Sequence, residues 1–169
     1  MNAPFDHARC ETHQFDEALA SANRWRGECI QQFAELERQI EDALQWLAAA
    51  RPATKIKRGG QIRQSFDELK RLTAPKGSKV HFVWKSLDEL DRLIEWRAHL
   101  THGVLSVWRG TRGQWLFTLE HRDPGGGPRR MHAIPRKEAD EMLDRLTNEA
   151  ERFHKRVDSM PTALNRKSS

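Results

Sequence analysis

Phe15, Ala22, Cys29, Leu36 and Ala43 recur every seven positions, beside a companion row of Leu19, Phe33, Ile40 and Leu47 that only Arg26 breaks. Steps alternating between three and four residues put both rows on one face of an α-helix. The stretch cannot serve as a strand, whose successive side chains point to opposite faces. The pattern predicts one long helix from about Phe15 to Ala50. It should stop near Arg51, because Pro52 turns the preceding residue away from helical geometry.

The connector RPATKIKRGG follows, and Ile62, Phe66, Leu69 and Leu72 mark one face of a second helix, which TAPKGSK ends. In SLDEL, Ser86 and Glu89 have the spacing of a capping box, which opens a third helix at Ser86. Leu87, Leu90, Leu93, Ile94 and Leu100 face inward, and Gly103 supplies the stop. Beyond it the hydrophobic period falls from about 3.6 to about 2. VLSVW and QWLFTLEH read as strands joined through RGTRG, RDPGGGP as a second turn, and RRMHAI as a third strand. A last helix opens at IPRKEAD, with Pro135 in its first turn and a stripe of Ala139, Met142, Leu143, Leu146, Ala150, Phe153 and Val157.

The fold expected is mainly α: a single domain built as a bundle of about four main helices, with a β-hairpin or small meander before the last helix. Residues 1–14 and 158–169 carry too little apolar content to pack and are expected to be flexible.

Charged residues make up 31% of the chain and the formal net charge is +5, a balance that favours acidic partners, nucleic acid ahead of a membrane surface. No apolar run has membrane-spanning length and the first residues lack a signal peptide's hydrophobic stretch. Cys10 and Cys29 stand without a second pair or a close histidine, which argues against a zinc site or disulfide framework and suits two free thiols in a cytoplasmic protein. No cofactor or metal is expected.

The residues that invite a chemical reading lie in IEWRAHLTHG. Arg97 continues the buried stripe, three residues after Ile94 and seven after Leu90. A guanidinium there needs a carboxylate, a phosphate or a subunit interface. Glu37, four residues after Phe33 and three before Ile40, is the best carboxylate candidate as a structural partner. His102 falls at the helix end, where an imidazole can be exposed and can titrate near neutrality, or can simply cap the helix.

LDELDRLIEWRAHLTHG, set after the long QFAELERQIEDAL helix, resembles the HEPN superfamily of bacterial helical proteins. Members have a bundle of four or more helices and an R-x4-6-H motif at the end of the third. Many are metal-independent endoribonucleases of toxin–antitoxin or phage-defence systems, generally dimers whose two motifs converge. The resemblance rests on the helix order, FAELE, Arg97, and His102 with Gly103. It implies a homodimer, an RNA substrate, Arg97 and His102 as catalytic residues, and an antitoxin or defence partner protein. Where nuclease members carry a polar residue after the arginine this chain has Ala98, with His99 one place later, rotated by about 100° around the helix. His99 can assist the reaction, or lie on an exposed helix face. The alternative to a ribonuclease is a non-catalytic module of the same fold that binds nucleotides, RNA or protein.

RNA carries its own nucleophile, the 2′-hydroxyl. A histidine can move its proton and an arginine can clamp the phosphate with two parallel hydrogen bonds. Lys55, Lys57, Arg58 and Arg63 form the densest basic patch for a backbone to follow. Arg109, Arg112, Arg129 and Arg130 make a second on the strand turns, where Trp108 and Trp115 can stack bases or fill the core.

Overall fold

The computed structural model describes residues 5–57, 61–122 and 129–165, with side chains at all of these but 5–11, 122 and 129. In chain order it forms α1 (Phe5–Ala50), α2 (Ile62–Thr73), α3 (His81–His102), β1 (Val104–Arg109), β2 (Trp115–Arg122), β3 (Arg129–Pro135), α4 (Arg136–Asp158) and α5 (Met160–Asn165). The chain is mainly helical, with the expected small antiparallel sheet ahead of the last long helix. No helix of the described residues is long and apolar enough to cross a membrane.

Two compact units divide the chain: Met1–Ile30 with Arg97–Asp144, and Gln31–Trp96 with Arg145–Ser169. The first holds the sheet, a meander in the order β1-β2-β3. Val107 pairs with Phe117 and Phe117 with Ile134; Leu105 pairs with Leu119 and Leu119 with His132. Strand alternation puts these residues, with His121 and Arg130, on one face. Val107, Phe117, Leu119 and Ile134 are buried there, as are Ala22, Trp25 and Cys29 of α1 and Leu100 of α3. Trp25 lies with its ring centroid 5.7 Å from that of Phe117 and donates its indole N–H to the Ala139 carbonyl at 2.7 Å. Burial, with Glu28 beside it, pushes the Cys29 thiol up to about 12. On the other face Val104, Trp108 and Met131 are more than 60% exposed.

In the second unit the α1 stripe continues through Phe33, Leu36, Ile40, Ala43, Leu44 and Leu47, all buried. The predicted faces of α2 and α3 are buried too, as are Leu146, Ala150, Phe153 and Val157 of α4. Met142 and Leu143 of its predicted stripe are half-buried. Glu68, on α2, accepts two hydrogen bonds from the Arg71 guanidinium and one from the Lys57 amide, which hold its carboxyl below the usual range.

Three boundaries differ from the sequence reading. α1 begins at Phe5, not near Phe15, because residues 5–14 contain no glycine or proline to stop a helix already propagating. α3 begins at His81, so Ser86 is a buried interior residue and not an N-cap. Val80 and Val83 extend the apolar stripe backward from Leu87, and Ser78 holds the chain ahead of the helix by accepting from the amides of His81, through its carbonyl, and Val80, through its hydroxyl. The expected loose tail contains α5, where Met160 is fully buried; one apolar side chain is enough to seat a turn of helix.

Candidate functional site

A helix end leaves its last carbonyls without intrahelical donors, and unless they are satisfied the end frays. At the end of α3 the carbonyls of His99, Leu100 and Thr101 each have a donor. The Gly103 amide donates to the His99 carbonyl at 2.9 Å. Arg26, the residue that interrupts the apolar row of α1, donates through Nε to the Leu100 carbonyl at 2.6 Å and through Nη2 to that of Thr101 at 3.4 Å. The Thr101 hydroxyl reaches back to the Arg97 carbonyl at 2.8 Å. These bonds fix the helix terminus from which His102 projects, and the Arg26 charge complements the negative end of the helix dipole.

Gly103 is needed there. A Cβ added to it would run into the backbone oxygen of His99, which no rotamer change can relieve. The His-Gly pair is thus a junction: a helix closes at His102, and β1 starts at Val104 without an intervening loop.

His102 is exposed and Arg97 is half-buried. Five residues of helix separate them, about 140° around the axis, so they share the helix end without sharing a face. His99, three residues before His102, does share its face. It is half-buried and not solvent-facing. Its ring centroid lies 4.5 Å from that of His132 on β3 and 5.4 Å, edge on, from that of His121 on β2. His121, only 8% exposed, lies 6.4 Å from His102 on its other side. Four imidazoles thus follow one another in the order His102, His121, His99, His132, of which His121 is the most buried. Nδ1 of His99, Nδ1 of His121 and Nε2 of His132 are sealed from solvent.

His121 and His132 were missed by a reading centred on the third helix. Their signal was present in the strands: His121 keeps the parity of Phe117 and Leu119, and His132 that of Ile134. Extending the inward pattern past the last apolar residue would have placed both rings on the core face.

No family model, curated protein or solved structure matches this chain.

The other residues singled out from the sequence fall in both units. Glu37 is half-buried on α1 and belongs to the second unit, while Arg97 belongs to the first. Lys55 and Lys57 are exposed, and Arg58 lies outside the described residues. Arg63 is tied to Asp67 at 3.2 Å and to Asp91 at 2.8 Å. It lines an open cleft of about 450 Å³ with Arg92, Arg145 and four carboxylates. One of these, Glu89, adjoins the buried Glu149, whose carboxyl is pushed above its ordinary range by burial first and by Glu89 second. Of the second basic patch, Arg109, Arg112 and Arg130 are exposed, and the Arg129 side chain lies outside the described residues. Trp108 faces solvent, whereas Trp115 is half-buried against Phe15 at 6.1 Å.

Among the described residues, no group of three or more His, Cys, Asp or Glu side chains is arranged to hold a metal ion. What the histidine row can do is exchange protons and, once protonated, donate hydrogen bonds to an anion.

Proposed function

We propose that this chain is a metal-independent endoribonuclease of the HEPN type, an effector of a toxin–antitoxin or phage-defence system that works as a homodimer. The observation that carries the reading is the exposed His102 imidazole at a helix terminus held by Arg26 and Gly103, with Arg97 five residues before it.

In the reaction, Arg97 binds the non-bridging oxygens of the scissile phosphate and offsets the charge that builds on them. His102 accepts the 2′-hydroxyl proton as the O2′–P bond forms. The P–O5′ bond breaks and the 5′-oxygen takes a proton from an imidazolium, giving a 2′,3′-cyclic phosphate and a free 5′-hydroxyl. The His102 imidazole of one chain supplies the base or the acid, and the second copy of the motif in a two-fold dimer supplies the other. His99, packed against the strand histidines, assists through them. Lys55, Lys57, Arg58 and Arg63 give the RNA backbone a track.

The test is incubation of purified protein with single-stranded RNA in EDTA. Cleavage with 2′,3′-cyclic ends is expected, with no cleavage of a 2′-deoxy oligonucleotide. His102→Ala should lose about 10²–10⁴-fold in rate, and Arg97→Lys should be impaired because a point charge cannot replace the bidentate fork. Cleavage unchanged in His102→Ala would overturn it.

A second reading, a non-catalytic module that binds nucleotides, RNA or protein, is favoured by Ala98, which is exposed and offers no polar group beside the arginine. RNA binding without cleavage by the wild type would select it.

A further inference from the structure

Val104, Trp108 and Met131 are three of the four large apolar side chains exposed among the described residues, and all three stand on one face of the sheet. The fourth, Phe15, packs edge-on against Trp115. Apolar side chains gathered on one surface mark a binding face, where single scattered ones do not. Trp108 carries the most information of the three. Ser106, Thr118 and Ala133 pair across the three strands, so the row beside it holds only small side chains. The indole N–H reaches back to the Ser106 hydroxyl at 3.2 Å, and that hydroxyl is bonded to Thr118 at 2.6 Å. The ring is thereby tied to the sheet through its only polar atom, yet the residue is 63% exposed. What it offers to solvent is carbon, in an orientation already fixed.

The charges nearest to it are mostly positive. Val104 to Leu119 include no Asp or Glu. Arg112 lies in the β1–β2 turn, and Arg136 follows Pro135, which pairs with Leu116, the partner of Trp108. Both are exposed, and neither enters an ion pair among the described residues. Glu120, on the same face, is half-buried and about 14 Å along β2 from Leu116. The first turn of α4 sets Glu138 against Arg136 and Lys137. A flat carbon ring flanked by cations matches a ligand built of flat rings, each with a negative charge on a short tether. Every nucleotide of an unpaired strand is such a unit. A partner helix instead takes a groove for its apolar face.

We infer that the outer face of the sheet is a second contact for single-stranded RNA, with a base stacked on Trp108 and the adjoining phosphates on Arg112 and Arg136. The inference rests on the RNA-binding part of the proposed function and needs neither Arg97 nor His102. β1 begins two residues after His102 and carries Trp108 about 14 Å further along, so a strand of several nucleotides spans both. Unpaired RNA becomes the substrate class, because a base inside a duplex has both of its faces covered.

The experiment is fluorescence anisotropy of a labelled, non-cleavable 2′-O-methyl oligouridylate with the full chain in EDTA. Trp108→Ala should bind about 5- to 150-fold more weakly than the wild type. Trp108→Phe, which keeps a ring, should recover most of that affinity. Abasic sites in place of the uracils should weaken binding to the wild type and make little difference to Trp108→Ala. Arg112→Ala and Arg136→Ala should each lower the slope of log affinity against log salt by about 0.7. Equal affinities of wild type and Trp108→Ala would overturn the inference, and so would equal binding of intact and abasic strands; RNA cleavage retained in either case leaves the ribonuclease reading standing. A wild-type dimer that Trp108→Ala converts to monomer in sedimentation would overturn it as well, since a second copy then covers the face. So would Trp108-dependent capture of an acidic, phenylalanine-containing peptide by a chain that binds no oligonucleotide. Neither binding nor cleavage of any RNA would overturn both readings.

Discussion

The indole of Trp25 donates a 2.7 Å hydrogen bond to the carbonyl of Ala139, 114 residues further along the chain. The indole is 3% exposed, so neither partner has water as a substitute. Trp25→Phe keeps an aromatic ring beside Phe117 but removes the indole donor, leaving the Ala139 carbonyl only the amide that the α4 ladder supplies. The expected loss is about 0.5–1.5 kcal/mol, the net worth of one hydrogen bond. Urea denaturation of the two proteins measures it, and equal midpoints would show that the bond contributes nothing net.

Arg26 should matter to the site as well as to the fold. Arg26→Met preserves the length and apolar stem of the side chain while leaving the Leu100 and Thr101 carbonyls without their donor. A stability loss of about 1–3 kcal/mol is expected for a charged donor of this kind. Amide exchange at the last turn of α3 should accelerate selectively, reporting a loosened seat for His102. Gly103→Ala should loosen the same turn by a different route, since its Cβ displaces the His99 carbonyl.

Two buried glutamates should give the stability profile opposite slopes. Glu68 has its carboxyl held below the ordinary 4.5 by Arg71, so its contribution is present above that value and lost as pH falls through the lower folded value. Glu149 has its carboxyl raised above 4.5, chiefly by burial. Its contribution is complete below 4.5 and lost as pH rises through the raised folded value. Glu149→Gln should therefore gain on the wild type as pH increases from 4 to 8, and Glu68→Gln should fall behind it over the same range. Denaturation midpoints across that range check both, and parallel curves would contradict the assignments.

Cys29 should be inert in the native protein. Its side chain is fully buried and its thiol is pushed up to about 12 by burial and by Glu28, so almost none is thiolate at neutral pH. In a Cys10→Ser background, a thiol reagent should label the folded chain at the rate of global opening and the unfolded chain at once. Rapid labelling without denaturant would show that α1 opens locally around Cys29.

The four long helices α1 to α4 were legible because each shows the sequence one continuous apolar face, and the change of period after Gly103 marked the sheet. What local pattern could not show were roles set by distant neighbours. Arg26 looked like an interruption of a stripe because its partners, the carbonyls of Leu100 and Thr101, lie more than seventy positions away. Ser86 looked like a cap because its spacing to Glu89 is right, but Val80 and Val83 carry the buried face past it. Of the site, Arg97, His99 and His102 were found from one helix. His121 and His132 were not, because only strand pairing brings them to that helix end.

Each strand of the meander bonds only to its neighbour in sequence, whereas Trp25 waits for Ala139. The hairpins can form in about 1–10 μs once their residues exist. During synthesis at about 5–20 residues per second, however, Trp25 leaves the ribosome roughly 6–23 s before Ala139 does. Until the strands emerge, for most of that interval, the apolar stripe around Trp25 and Cys29 has no sheet to cover it. The nascent helix is thus the period in this protein's life when it most needs a chaperone or a second chain.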